Sequence, residues 1–153
     1  MSGIYVAAGG NLYQYDLAGN QNWTDSPATH CIADAAGNVY TTASTGYVTK
    51  YDINGNELWS RAYHTTSILG IAVDSADNVT IVYARTSNLT HKQYDADGNL
   101  NWSKDHGGTL NAVAVDADDN VYVGGNVVSS VSLRSYTADG TDRWTASLRA
   151  TVN

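Results

Sequence analysis

Apolar residues along this chain come in short runs, and nearly every run stops at a cluster of Asp, Asn and Gly. Leu69–Asp74, Asn78–Ala84, Leu89–Tyr94 and Asn99–Lys104 show the pattern: four runs with strand chemistry inside one stretch. The links after the first and third runs are short and rich in Asp, Asn and Gly. Such residues suit tight hairpins that need φ > 0 at one position. No window sustains a 3.6-residue apolar period, and turn residues interrupt about every ten positions, so helices are not expected.

Two phrases recur in step. Each of the four tryptophans closes one of them: Tyr15-Asp16-Leu17-Ala18-Gly19-Asn20-Gln21-Asn22-Trp23, then Tyr51 to Trp59, Tyr94 to Trp102 and a drifted Tyr136 to Trp144. The other reads Ile32-Ala33-Asp34-Ala35-Ala36-Gly37-Asn38-Val39-Tyr40 and returns at Ala72–Thr80 and Ala114–Tyr122. Four up-and-down strands per repeat of about 40 residues, with an aromatic signature, describe a β-propeller blade. Strands are labelled A to D from the innermost outward. Strand A is rich in small residues (Gly70, Ala72, Ala112, Ala114), which suits the crowded axis.

Aligned on these phrases, Ile4-Tyr5 matches Val39-Tyr40, and Thr151-Val152-Asn153 matches Thr109-Leu110-Asn111. The expected organisation is a single all-β domain over 1–153. Strands B-C-D lie in 1–27, and complete blades follow in 28–66, 67–108 and 109–153, the last with a C-terminal tail. That is about 3.75 four-stranded antiparallel blades. A four-bladed ring with one incomplete blade and an arc completed by a partner both fit this count.

Composition narrows the class further. With 153 residues, 42% of them hydrophobic, the chain can bury one ordinary core. Its single cysteine, Cys31, allows no internal disulfide and no cysteine-based zinc site. No apolar run approaches the roughly 20 residues of a membrane span. The N-terminal residues lack the features of a signal peptide, so the expectation is a soluble protein, with a virion as a candidate location. A net charge of −7 argues against nucleic acid and anionic membranes as partners.

The phrases Gly70-Ile71-Ala72-Val73-Asp74, Asn78-Val79 and Lys92 to Trp102 resemble the bacterial β-propeller repeat called SBBP. They are also similar to NHL repeats and to quinoprotein dehydrogenase repeats. The last match Asn38-Val39-Tyr40, Gly46-Tyr47 and Gly55-Asn56-Glu57-Leu58-Trp59. The resemblance covers nearly the whole chain. It implies that Trp23, Trp59, Trp102 and Trp144 pack between adjacent blades. It implies no activity, because the quinone enzymes carry their calcium and catalytic residues outside the repeats.

Blade topology also sorts charge. The A-to-B turns hold Asp34, Asp74, Asp77, Asp116, Asp118 and Asp119, and the C-to-D turns hold Asp16, Asp52, Asp95, Asp97, Asp139 and Asp142. Most carboxylates are therefore expected on one face, opposite Arg61, Arg85, Lys104, Arg149, His30, His64 and His106. The alternating oxygens of Asp95, Asp97, Asp116 and Asp118 make weak calcium candidates, which turn chemistry explains without a metal. No metal or cofactor is expected. Cys31 beside His30 reads as a small buried residue rather than a catalytic pair, because strand neighbours point to opposite faces. His91 reads as structural.

Ligand-facing candidates lie on the variable B-to-C loops and beside them: Tyr47, Tyr63, Tyr83 and Arg85 could stack on a sugar or grip a carboxylate. No catalytic constellation is present. The expected function is a non-catalytic binding or structural module within a larger assembly, such as a bacteriophage virion or tail surface, joined to a protein partner or to itself. The alternatives are a lectin-like propeller binding a glycan and a fragment of a propeller enzyme.

Overall fold

The computed structural model describes residues 3–62, 67–84, 89–106, 109–127 and 130–148. Fifteen strands are formed among them: β1 (Ile4–Ala8), β2 (Asn11–Tyr15), β3 (Gln21–Asp25), β4 (His30–Ala33), β5 (Val39–Ala43), β6 (Tyr47–Tyr51), β7 (Glu57–Ala62), β8 (Ser67–Val73), β9 (Val79–Ala84), β10 (Leu89–Tyr94), β11 (Leu100–His106), β12 (Thr109–Val115), β13 (Val121–Val127), β14 (Ser130–Tyr136) and β15 (Asp142–Leu148). They form one three-stranded sheet, β1-β2-β3, and three four-stranded sheets, β4-β5-β6-β7, β8-β9-β10-β11 and β12-β13-β14-β15. The pairs from β1 to β7 within their sheets, from β9 to β11 and from β12 to β15 are antiparallel. The strand count and grouping are those expected from the repeat.

The turns explain why the chain reverses where it does. In the turn that opens at Asp95, Oδ1 accepts the backbone N–H groups of Asp97 and Asn99, and Oδ2 accepts the Asn99 side-chain amide. The same clamp closes the turns at Asp16, Asp52, Asp74 and Asp116. A carboxylate with no donor of its own satisfies three donors that a tight turn leaves free. These bonds hold the Asp16, Asp52 and Asp95 carboxyls below their ordinary range. Asp116, which also accepts the Tyr122 hydroxyl, falls to about 2.

Each sheet carries an irregularity at the same place, and the β12–β13 pair has a further register shift between Leu110 and Ala112. The pairing of the last two strands slips between Gln14 and Tyr15, Lys50 and Tyr51, Gln93 and Tyr94, and Ser135 and Tyr136. One residue is extra on the outer strand each time: Asn22, Leu58, Asn101 and Arg143, just before the tryptophan. A bulge shifts the side-chain phase of everything beyond it. It sets each tryptophan opposite Gln14, Lys50, Gln93 or Ser135.

The chain gathers into two compact units, 1–68 and 69–153, with the boundary inside β8. In the first, Leu12, Ala28, Val39 and Tyr51 form a buried core, with Tyr5, Ala7, Trp23 and Cys31 against it. In the second, Val82, Val121, Val123 and Tyr136 do so, with Leu69, Trp102, Val113 and Val115 around them. Each core therefore lies between two sheets, with small or β-branched residues where the sheets approach.

Candidate functional site

The joint between sheets is the best-defined recurring geometry. In the first unit the Trp23 indole lies on the 52–56 turn of the next sheet, and Nε1–H donates to the Ile53 carbonyl at 3.0 Å. A Cβ on Gly55 would stand 2.9 Å from the ring. In the second unit Trp102 donates to the Ala138 carbonyl at 3.0 Å, and a Cβ on Gly140 would stand 2.7 Å from its ring. The acceptor is two residues before the glycine both times. On its own sheet Trp23 meets Tyr5, with ring centroids 5.9 Å apart, and Trp59 meets Tyr40 at 6.0 Å.

Trp144 differs. It keeps its own-sheet tyrosine, Tyr122, at 5.9 Å, but is 44% exposed, against 8% for Trp59. Other exposed apolar residues include Ile4 and Val6 on β1 and Leu17 on the first turn. The repeat phrase alone does not distinguish Trp144 from the other three, because its exposure depends on what lies beyond its sheet.

Beside each described joint runs a groove. One, of about 760 Å³, is lined by Gln14, Asp16, Leu17, Asn22, Trp23, Ile53 and Asn54. The other, of about 410 Å³, is lined by Asn78, Gln93, Asn101, Trp102, Ala138 and Asp139. The two share a strand amide (Gln14, Gln93), the bulge amide (Asn22, Asn101), the indole and a next-sheet turn residue. In the second groove Asn101 donates to the Gln93 and Asn78 side-chain oxygens. Amide pairs beside an indole edge offer both donors and acceptors to a polar ligand.

A second cluster, not foreseen from sequence, sits in the second unit. His91 is fully buried, stacks on His106 at 5.0 Å, and meets Tyr136 at 4.8 Å and Trp102 at 5.2 Å. The His106 Nε2 and the Tyr136 hydroxyl share a 3.0 Å hydrogen bond. Among the described residues neither His91 ring nitrogen has a hydrogen-bond partner. Burial, and then the neighbouring His106, Lys104 and Arg134, lower its pKa to about 3. The ring is therefore neutral at physiological pH. One sequence signal marks the position: His91 aligns with Leu12, Val48 and Leu133, an otherwise apolar column.

Of the ligand candidates expected from the sequence, Tyr47 and Tyr83 are among the described residues. Tyr83 is 2% exposed, in the core beneath Lys92, whose ammonium lies 5.8 Å from the ring centre. Its burial on β9 removes it from a ligand-facing role. Tyr47 is exposed at the start of β6. Tyr63 and Arg85 lie outside the described residues, as does His64. Asp95 and Asp116 spend their oxygens on their own turns, and Asp97 and Asp118 each donate a backbone N–H within them. Among the described residues no group of three or more His, Cys, Asp or Glu is placed to hold a metal ion. Cys31 is half-buried in the first core, and that burial raises its thiol pKa. No helix of the structure is long and apolar enough to cross a membrane.

No family model matches the chain, and no curated protein matches it by sequence. Solved structures do match. A protein of unknown function from Bacteroides caccae aligns with 97% of this chain at 13% identity and a TM-score of 0.68. A europium-containing methanol dehydrogenase aligns with 94% at 16% identity and a TM-score of 0.72. A streptogramin B lyase aligns with 99% at 11% identity and a TM-score of 0.72. The chain has a β-propeller fold. It spans 58%, 39% and 52% of those chains respectively, about half the length of the structures it resembles. Its sheets are blades, and the tryptophan joints described above are blade-to-blade contacts.

Proposed function

We propose that the protein is a non-catalytic β-propeller module, built from SBBP-type repeats, that works as part of a larger assembly such as the surface of a bacteriophage particle or tail. The observation that carries this reading is Trp144: an indole seated on its own tyrosine, yet 44% exposed. Large aromatics held rigid at a surface serve as interface anchors, because they bury much area for few frozen torsions. Exposed Ile4 and Val6 on the first blade extend the apolar surface available for such contacts. Cross-linking mass spectrometry on the protein in its native particle or cell extract tests the proposal. Cross-links from the first and last blades to other protein molecules are expected. A chain that yields only links within itself overturns it.

A second reading follows from the paired grooves. Their repeated Gln, Asn and Trp set suits a hydroxyl-rich ligand such as a sugar, with the amides hydrogen-bonding and the indole edge giving apolar contact. Screening against a glycan array tests it, with Trp23→Ala and Trp102→Ala as the variants expected to lose signal.

A further inference from the structure

We infer that the exposed Trp144 of one copy docks on the 16–20 turn of a second copy, repeating between chains the joint that Trp23 and Trp102 each make within the chain. The inference rests on the assembly reading above and gives that assembly a partner.

The joint has three parts: an indole braced by its own blade, a turn glycine that leaves room for the ring, and a carbonyl two residues before that glycine. Trp144 supplies the first. Its spacing from Tyr122, 5.9 Å between ring centres, equals that of Trp23 from Tyr5. The tilt between the ring planes is 55° in both pairs. The donor side is therefore already set in the working geometry, and binding need not order it.

The first blade supplies the other two parts. Its turn is clamped by Asp16 and Asn20 just as the 52–56 turn is by Asp52 and Asn56. Gly19 and Gly55 both have φ of 86°. Around Gly55 the space for a Cβ is filled by Trp23, whereas around Gly19 no described atom lies within 4 Å of it. Leu17 occupies the position whose carbonyl accepts the indole N–H in the Trp23 and Trp102 joints, and the residue is 74% exposed.

Trp144 and the 16–20 turn thus carry the donor and acceptor parts of the same joint, and both are exposed. Such surfaces are complementary rather than identical, so copies associate head to tail.

Sedimentation equilibrium of the full chain over a wide concentration range tests the inference. The wild type is expected to associate reversibly beyond the 16.3 kDa monomer. Trp144→Ala and Gly19→Ala are each expected to weaken association at least about tenfold. Trp144→Phe, which keeps a ring but loses the N–H, is expected to fall between wild type and Trp144→Ala. Mixing Trp144→Ala with Gly19→Ala restores one intact joint and is expected to give a heterodimer. That rescue separates loss of the joint from loss of the fold, which an unfolding transition for each variant also reports. A wild type that stays monomeric throughout, or a Trp144→Ala variant that associates as the wild type does, overturns the inference. If the chain does not self-associate yet cross-links to other proteins in its native particle, the assembly reading stands and this inference fails alone.

Discussion

Trp102 and Gly140 are locked together across two blades: the indole fills the space a Cβ would need, and its N–H reaches a carbonyl of the same turn. Gly140 has φ of 82°, so a side chain there is strained twice, by the backbone and by the ring. Gly140→Ala is expected to cost about 2–4 kcal/mol in urea unfolding. Gly19→Ala has the backbone penalty alone, about 1 kcal/mol, measured at concentrations low enough to keep the chain monomeric.

The tryptophans divide in the same way. Trp102→Ala removes a half-buried ring with its inter-blade hydrogen bond and is expected to cost about 3–5 kcal/mol. Trp144→Ala in the dilute monomer is expected to cost under about 1 kcal/mol. Thermal and chemical unfolding of both variants checks the difference. Equal losses would place Trp144 in a packed joint within one chain.

His91 predicts an acid limb. Its folded pKa is about 3 and its ordinary value 6.5, so the unfolded chain binds the proton first. Stability from this ring is complete above pH 6.5 and declines by about 1.4 kcal/mol per pH unit as pH falls toward 3. The depressed carboxyls of Asp16, Asp52, Asp95 and Asp116 act lower, below their ordinary value near 3.8. His91→Leu, the residue found at Leu12 and Leu133, is expected to flatten the upper part of this limb. It should also raise stability at neutral pH by about 1 kcal/mol, since an unpartnered buried polar ring is replaced by an apolar side chain. Unfolding free energies from pH 4 to 8 read both effects.

Lys50 and Asp34 form a buried ion pair at 3.8 Å, with the ammonium also 4.9 Å from the Tyr40 ring centre. Lys50→Ala leaves the Asp34 carboxylate buried with less compensation and is expected to cost about 3 kcal/mol. Replacing both partners, Lys50→Met with Asp34→Asn, is expected to recover part of that loss. A double-mutant cycle in urea measures the coupling.

Much of the fold was legible because its signals are local. The Asp-x-x-Gly-Asn phrase encodes a turn whose bonds all fall within five residues, so repeating the phrase marks the hairpins. Strand bounds in the third blade agree with the sequence reading to within about two residues, the usual uncertainty of such ends. The candidate site was less legible because it depends on long-range neighbours. Tyr83 has the chemistry of a ligand platform, but burial on β9 decides its role. His91 meets His106 from its own blade and Tyr136 from the next, an encounter no local window contains. The bulge before each tryptophan is hidden because Tyr-to-Trp spacing stays constant while the strand phase changes.

The clamped turns carry a consequence for how the molecule assembles itself. Each hairpin holds its own closing bonds within a few residues, so it needs no distant contact to choose where to bend. Loop closure this short is entropically cheap and fast. A hairpin can therefore take its register before its blade meets a neighbour. Evolution by copying can add or delete such a unit without rewriting the turns that remain.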